Sequence, residues 1–145
     1  MRSALGERVY LDTNIIIYAL EGFAQFAPQI QPLLEAMDRG EIIAVTSELT
    51  LAETLVKPLK EQDHATQQAY RNFLTSAPVF QVIPISRKIL EDAAQFQAST
   101  KLKLPDAIHL ATAFQQQCDS FLTNDEVFRT LNRPQVKMLS EVNWL

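Results

Sequence analysis

The feature that most constrains the fold of this chain is an alternation of short apolar runs with longer segments of helical periodicity. Each apolar run has the length of a buried strand, and helix-prone segments lie between them. Because parallel neighbours need crossover connections, usually helical and right-handed, this order predicts an α/β fold with a central, mostly parallel sheet of about five strands flanked by helices. The expected strands are Val9–Leu11, Ile42–Val45, Val79–Ile85, Ser120–Thr123 and Val136–Leu139.

The helical segments carry start and stop signals. The clearest helix begins around Leu104-Pro105-Asp106, with a proline at a first-turn position and an acid beside the positive end of the helix. Another runs from about Pro28 to Arg39 and stops at Gly40. Further helices are expected after Asp12–Asn14, after Thr46 or Ser47, from Gln62 to about Ser76, after Ser86, and briefly through Val127, Phe128 and Leu131.

Length and composition limit the class of protein. The 145 residues suit one domain, expected to span 1–145, and 47% hydrophobic with 21% charged residues exclude a disordered or collagen-like chain. A net charge of −4 argues against a broad basic surface for duplex DNA, but not against nucleic acid bound through metal ions and a local basic rim. The apolar stretch from Val9 to Leu20 is too short and too polar to span a membrane, so a cytoplasmic protein is expected.

Four acidic residues share one placement, at the end of an apolar run or near a helix start: Asp12, Glu53, Asp106 and Asp125. Taken alone, each has an ordinary explanation as a cap or first-turn residue, and Thr50 to Glu53 has the spacing of a capping box. If they converge, each close pair repels by roughly 4 kcal/mol at an effective dielectric near 20. A cation is then expected, and oxygen ligands select Mg²⁺ or Mn²⁺.

With their neighbours, these acids resemble the signature of the PIN-domain nucleases. The resemblance covers nearly the whole chain and, within the family, is greatest to the VapC-type ribonuclease toxins of bacterial toxin–antitoxin modules. It implies a metal-dependent endoribonuclease that hydrolyses RNA phosphodiester bonds with Mg²⁺ or Mn²⁺, forms a homodimer and is inhibited by an antitoxin protein. The strings that carry it are Leu11-Asp12-Thr13-Asn14, Leu51-Ala52-Glu53, Pro105-Asp106-Ala107-Ile108 and Leu122-Thr123-Asn124-Asp125.

The resemblance also implies catalytic and metal-binding roles for the four acids. Asp12 and Asp106 match the family's core metal-binding aspartates, and Glu53 matches its helical glutamate. Asp125 matches the last acidic position, although a turn shifted by one residue would turn Asn124 or Glu126 inward instead.

Four polar residues beside these acids are expected to orient the ligands or their bound waters. They are Thr13, Asn14, Thr123 and Asn124.

Other polar residues near the predicted site have simpler explanations. His109, one turn after Asp106, is expected to be a structural histidine because its helix face continues towards Ala113. The basic residues before Asp106 are expected on a solvated helix surface, with a rim that holds phosphates as the alternative. They are Arg87, Lys88, Lys101 and Lys103.

Two other functions compete with the nuclease. The first is a catalytically silent PIN-like module that binds RNA or protein, although unused carboxylates packed together would cost stability. The second, a phosphatase with an aspartyl nucleophile, is disfavoured because Asn14 stands where such a site needs a second acid.

Overall fold

The computed structural model describes residues 4–129, 131 and 134–144. Its strands are β1 (Arg8–Leu11), β2 (Ile43–Ser47), β3 (Phe80–Ile83), β4 (Ser120–Thr123) and β5 (Gln135–Met138). Its α-helices are α1 (Thr13–Glu21), α2 (Ala27–Asp38), α3 (Glu48–Lys60), α4 (His64–Phe73), α5 (Arg87–Ser99) and α6 (Leu104–Gln115). Short 3-10 segments cover Ala24–Phe26, Glu126–Phe128 and Leu139–Glu141.

The strands form one sheet in the order β3-β2-β1-β4-β5, and every neighbouring pair is parallel. The predicted α/β fold with a five-stranded parallel sheet is therefore confirmed. The chain builds outwards from β1 to β3 on one side and then adds β4 and β5 on the other, so the direction of winding switches between β1 and β4. In open sheets of this kind, ligands bind beyond the carboxyl ends of the strands at such a switch point.

The core has two layers because successive strand residues face opposite sides of the sheet. On β1, Val9 and Leu11 pack with α1, α2 and α4, through residues such as Ile16, Leu33 and Tyr70. The intervening residue, Tyr10, packs on the other side with residues of α5 and α6. All side chains from Ala107 to Ala113 on α6 are buried.

Element boundaries depart from the sequence expectations where side chains compete with the backbone. The helix expected to reach about Ser76 ends at Phe73, because the Ser76 hydroxyl instead accepts from the backbone N–H of Val82 (2.9 Å) on β3. The strand expected over Val79–Ile85 covers only Phe80–Ile83 and is followed by Pro84, which has no N–H to donate. Among the described residues, no helix is both long and apolar enough to cross a membrane.

The start of β1 is tied to the start of β4 by Asp119. Its Oδ2 accepts from the backbone N–H groups of Glu7 (2.9 Å) and Arg8 (3.0 Å). Gly6 has a positive φ of 85°, and a Cβ there would lie 2.6 Å from the Cβ of Asp119. A side chain at Gly6 would therefore be strained and would also displace Asp119.

We expect Gly6→Ala to lower the free energy of unfolding by about 2 kcal/mol, from backbone strain and the clash with Asp119. The matched control is Gly40→Ala: Gly40 also has a positive φ, of 72°, but no heavy atom lies within 4 Å of its added Cβ. The control should lose only about 1 kcal/mol from the backbone conformation. Urea unfolding measures both variants, and equal losses would contradict a role for the Asp119 contact.

Candidate active site

Asp12 follows β1 directly and lies at the carboxyl edge of the sheet, where its side chain is buried. Its backbone N–H donates to the carbonyl of Leu122 on β4 (3.0 Å). Its carboxylate accepts from the N–H of Thr13 (2.9 Å), the hydroxyl of Thr123 (2.7 Å) and the amide of Asn14 (3.2 Å). Burial raises the pKa of this carboxyl above its ordinary value, although nearby His109 and the hydrogen bonds from Thr123 and Thr13 oppose the shift.

The four polar residues predicted to orient the site surround the crevice between β1 and β4. Thr13, Asn14 and Thr123 donate directly to acidic side chains. Asn124 has no hydrogen bond to an acidic side chain within the described part of the chain: its backbone N–H donates to Oδ1 of Asn14 (3.1 Å), and its amide donates to the hydroxyl of Tyr18 (3.1 Å). Asn124 therefore supports the site through Asn14.

Asp106 lies in the first turn of α6 and is half-buried. Burial raises its pKa, and the negative charges of Asp12 and Asp125 raise it further, to about 6. The acids after β1, after β4 and at the start of α6 are thus close enough to act on one another electrostatically.

Asp125, rather than either neighbour, is the acid at the end of β4 that acts on Asp106. Its Oδ1 accepts from the N–H of Val127 (3.0 Å), so it also caps the 3-10 segment that follows. Glu126 is exposed and pairs with Arg129 (2.9 Å), which holds its side chain in another contact. Asp125 is therefore both a local cap and a member of the acidic group.

Glu53 lies in the second turn of α3, which Ser47 caps by accepting from the N–H of Leu49 (3.0 Å). The capping-box explanation for Glu53 is therefore wrong, because the helix begins five residues before it, at Glu48. Oε1 of Glu53 instead accepts from the Thr13 hydroxyl (2.7 Å) and lies 2.6 Å from Nε2 of His109. Burial raises the pKa of Glu53, but the hydrogen bond and charge interaction with His109 outweigh burial and lower it below the ordinary value.

His109 is the site contact that sequence reasoning missed. Its ring is only 1% exposed and lies between the Tyr10 hydroxyl, 2.6 Å from Nδ1, and the Glu53 carboxylate. The signal was present in the sequence: a polar ring on a helix that is buried on almost every side needs hydrogen-bond partners. Because His109 lies three residues after Asp106, it is on the same face of α6, and its partners are expected near the acidic group.

The basic residues before Asp106 fall into two pairs. Arg87 and Lys88 on α5 lie 3.8 Å from Glu91 and 3.0 Å from Asp92, as expected of a solvated helix surface. Lys101 and Lys103 flank the buried Leu102 just before α6, and both are exposed. Their position leaves the phosphate-rim alternative open for this second pair.

The donor chemistry of the acidic group suits a hard divalent cation. Burial and the neighbouring negative charges of Asp12 and Asp125 raise the pKa of Asp106, and a cation would favour its ionised form. Within the described residues, no three acidic, histidine or cysteine side chains are arranged closely enough to share one ion. This arrangement still suits Mg²⁺, which keeps several waters and is commonly held by only one or two carboxylates.

Comparison with known structures finds the same fold in bacterial toxin–antitoxin complexes. A chain of a toxin–antitoxin complex from Klebsiella pneumoniae is 29% identical, with a TM-score of 0.69 over 90% of this chain and 97% of that one. A chain of VapBC2 from Rickettsia felis, bound to a DNA fragment from its promoter, is 18% identical, with a TM-score of 0.70 over 90% and 98%. A chain of VapBC-1 from nontypeable Haemophilus influenzae is 18% identical, with a TM-score of 0.66 over 92% and 99%.

The sequence itself carries a family assignment. A search among curated proteins found no match. The family profile of the PIN domain matches residues 9–134, which include β1, β4 and all four predicted acids. The chain therefore belongs to the PIN-domain family, the nuclease family that its acidic motifs resemble.

Proposed function

We propose that this protein is a metal-dependent endoribonuclease, which hydrolyses RNA phosphodiester bonds as the toxin of a type II toxin–antitoxin module. The observation that carries the proposal is the acidic group at the switch point of the sheet. Asp12, Asp106 and Asp125 come from three elements, and their mutual repulsion helps to raise the pKa of Asp106 to about 6. This repulsion destabilises the folded protein, and it has a function if the acidic group binds a cation.

The chemistry follows from what phosphodiester hydrolysis requires. A bound Mg²⁺ or Mn²⁺ supplies an activated water and stabilises negative charge on the phosphate and the leaving oxygen. Asp12 and Asp106 would hold the ion, while Glu53 and Asp125 would contribute through its bound waters. Thr13, Asn14 and Thr123 keep these carboxylates oriented through their hydrogen bonds.

The toxin role is supported by the solved structures of similar fold, several of which are toxin–antitoxin complexes. On this proposal the partner is a cognate antitoxin protein, and the chain acts on RNA in the cytoplasm as a homodimer. The similarity to the Klebsiella chain, at 29% identity over 90% of this chain, extends beyond the fold alone.

The nuclease proposal predicts RNA cleavage in Mn²⁺ or Mg²⁺ and none in EDTA. Asp12→Asn and Asp106→Asn should each lower the cleavage rate by more than about 100-fold, because each removes a charged ligand while keeping the side-chain shape. The assay follows a pool of cellular RNA incubated with protein freed of any bound partner.

Asp38→Asn is the matched control for cleavage. Asp38 is an exposed acid at the end of α2, on the side of the sheet where the strands begin. The control should cleave RNA at the wild-type rate. A wild-type protein that binds Mn²⁺ but leaves all RNA intact would favour the silent binding module, and one that neither binds nor cleaves would contradict the site itself.

Divalent metal should stabilise the fold if it binds the folded site. At a hundredfold excess over Kd, linkage adds about 2.7 kcal/mol, which corresponds to a rise in Tm of about 8 °C for a domain of this size. Asp12→Asn should lose most of this rise, whereas Asp38→Asn should keep it. A thermal melt with and without Mn²⁺ measures the difference, and equal responses in both variants would place metal binding elsewhere.

Without metal, the acidic group should destabilise the protein at high pH. The folded-state pKa of Asp106, about 6, exceeds its unfolded value of about 3.9, so the folded state holds this proton more tightly. This contribution to stability is full below about pH 4 and is lost as the pH rises through about 6. Asp106→Asn avoids the loss and should gain about 1 kcal/mol over wild type at pH 8, after allowance for its half-exposed position.

Urea unfolding in EDTA at pH 8 and pH 4.5 checks the Asp106 prediction. The advantage of Asp106→Asn should be present at pH 8 and should fall to about a third of that value at pH 4.5. A variant less stable than wild type at pH 8 would contradict repulsion as the source of the raised pKa.

A further inference from the structure

We propose that His109 and Tyr10 are positioning residues, which fix the Glu53 carboxylate so that one of its oxygens is committed to the protein and the other is left for the cation or its water. This inference rests on the proposed metal-dependent function. It assigns a task to two buried residues that are not themselves acids of the site.

The two oxygens of Glu53 have different surroundings. Oε1 lies 2.6 Å from Nε2 of His109 and accepts from the Thr13 hydroxyl at 2.7 Å. Among the described residues, no hydrogen-bond donor contacts Oε2. The side chain is 33% exposed, so its second oxygen lies within reach of solvent or a hydrated ion.

The hydrogen bonds around His109 show which ring nitrogen donates to Glu53. A carboxylate oxygen only accepts, so Nε2 carries the hydrogen that points to Glu53. Nδ1 lies 2.6 Å from the Tyr10 hydroxyl, which can donate to this nitrogen or accept from its N–H.

Tyr10 is the end of this chain of hydrogen bonds that packs in the core. It is fully buried on β1, two residues before Asp12, and its ring stacks on Phe121 of β4 with centroids 5.0 Å apart. His109 is on α6, the helix that carries Asp106. The orientation of Glu53 on α3 is thus set by the elements that position Asp12 and Asp106.

His109 is not placed to act on substrate itself. Its side chain is 1% exposed, and both ring nitrogens already have partners within 2.6 Å. A proton acceptor for an attacking water must lie within hydrogen-bond reach of that water. The ring therefore works through Glu53, as the outer partners of metal ligands do in other proteins.

The test compares His109→Leu, His109→Gln and Tyr10→Phe, with Mn²⁺ alone as the probe and free Mn²⁺ measured by electron paramagnetic resonance. Loss of an outer partner weakens metal binding by about 10- to 100-fold, which is the effect expected for His109→Leu. His109→Gln keeps an N–H donor for Glu53 and should recover most of the affinity. Tyr10→Phe should show a smaller loss in the same direction.

A second measurement separates positioning from general stability. In a Glu53→Gln background, His109→Leu should cause no further loss of Mn²⁺ affinity, because the group on which it acts has gone. An undiminished loss in that background would overturn the proposal. On RNA, His109→Leu should lower kcat and leave KM within about twofold of wild type, because the ring does not touch the substrate.

The outcomes distinguish this proposal from the nuclease function. If wild type binds Mn²⁺ and cleaves RNA while His109→Leu and Tyr10→Phe bind Mn²⁺ equally well, the positioning role is wrong and the nuclease stands. If wild type does neither, the nuclease function itself fails. Should His109→Leu not fold by circular dichroism, Tyr10→Phe decides: unchanged Mn²⁺ affinity overturns the proposal, and a loss of about threefold or more supports it.

Discussion

Repulsion among carboxylates at the carboxyl edge of the sheet is the constraint on which the rest of the site depends. Parallel pairing of β1 with β4 brings the carboxyl ends of both strands to one crevice, so the acids that follow these strands lie near each other. Asp12 and Glu53 each have hydrogen-bond donors from neighbouring elements. Asp106 has no side-chain donor among the described residues, and it is the acid whose pKa is displaced to about 6. Burial, together with repulsion that hydrogen bonds leave uncompensated, therefore acts most strongly on Asp106.

The acids differ in their electrostatic state as a result. His109 and Thr13 keep the pKa of Glu53 below its ordinary value despite burial, whereas burial and neighbouring charge raise that of Asp106. Environments that separate the pKa values of neighbouring acids are common at functional sites. Glu53 therefore stays ionised to a lower pH than Asp106.

Much of the fold was predictable because its signals are local. Each of the five predicted strands is present, and residues such as Ser47 and Ser86 cap helices as their types suggest. The four acids were also predictable, through their ordered motifs rather than through spacing alone. The ends of the elements were less predictable. Ser76, for example, accepts a hydrogen bond from β3 instead of extending α4, and this contact is not visible in the local sequence.

Contacts between distant residues account for what sequence reasoning missed. His109 looked structural because its helix is apolar, but its partners Tyr10 and Glu53 lie 99 and 56 positions away in the chain. The capping-box spacing of Thr50 and Glu53 was misleading because Ser47 had already started the helix. No local pattern records that Thr50 instead bonds to Thr46 (2.8 Å) on the preceding strand.

The strand order also governs when the site can exist during synthesis of the chain. β4 pairs with β1 at the centre of the sheet, yet it is the fourth strand to be made. Until it emerges, one edge of β1 is unpaired, Asp12 lacks its hydrogen bond from Thr123, and Asp106 lacks the nearby charge of Asp125. A nascent chain that stops before residue 120 therefore carries Asp12, Glu53 and Asp106 but not the crevice, so the acidic group is complete only after β4 and Asp125 have been translated.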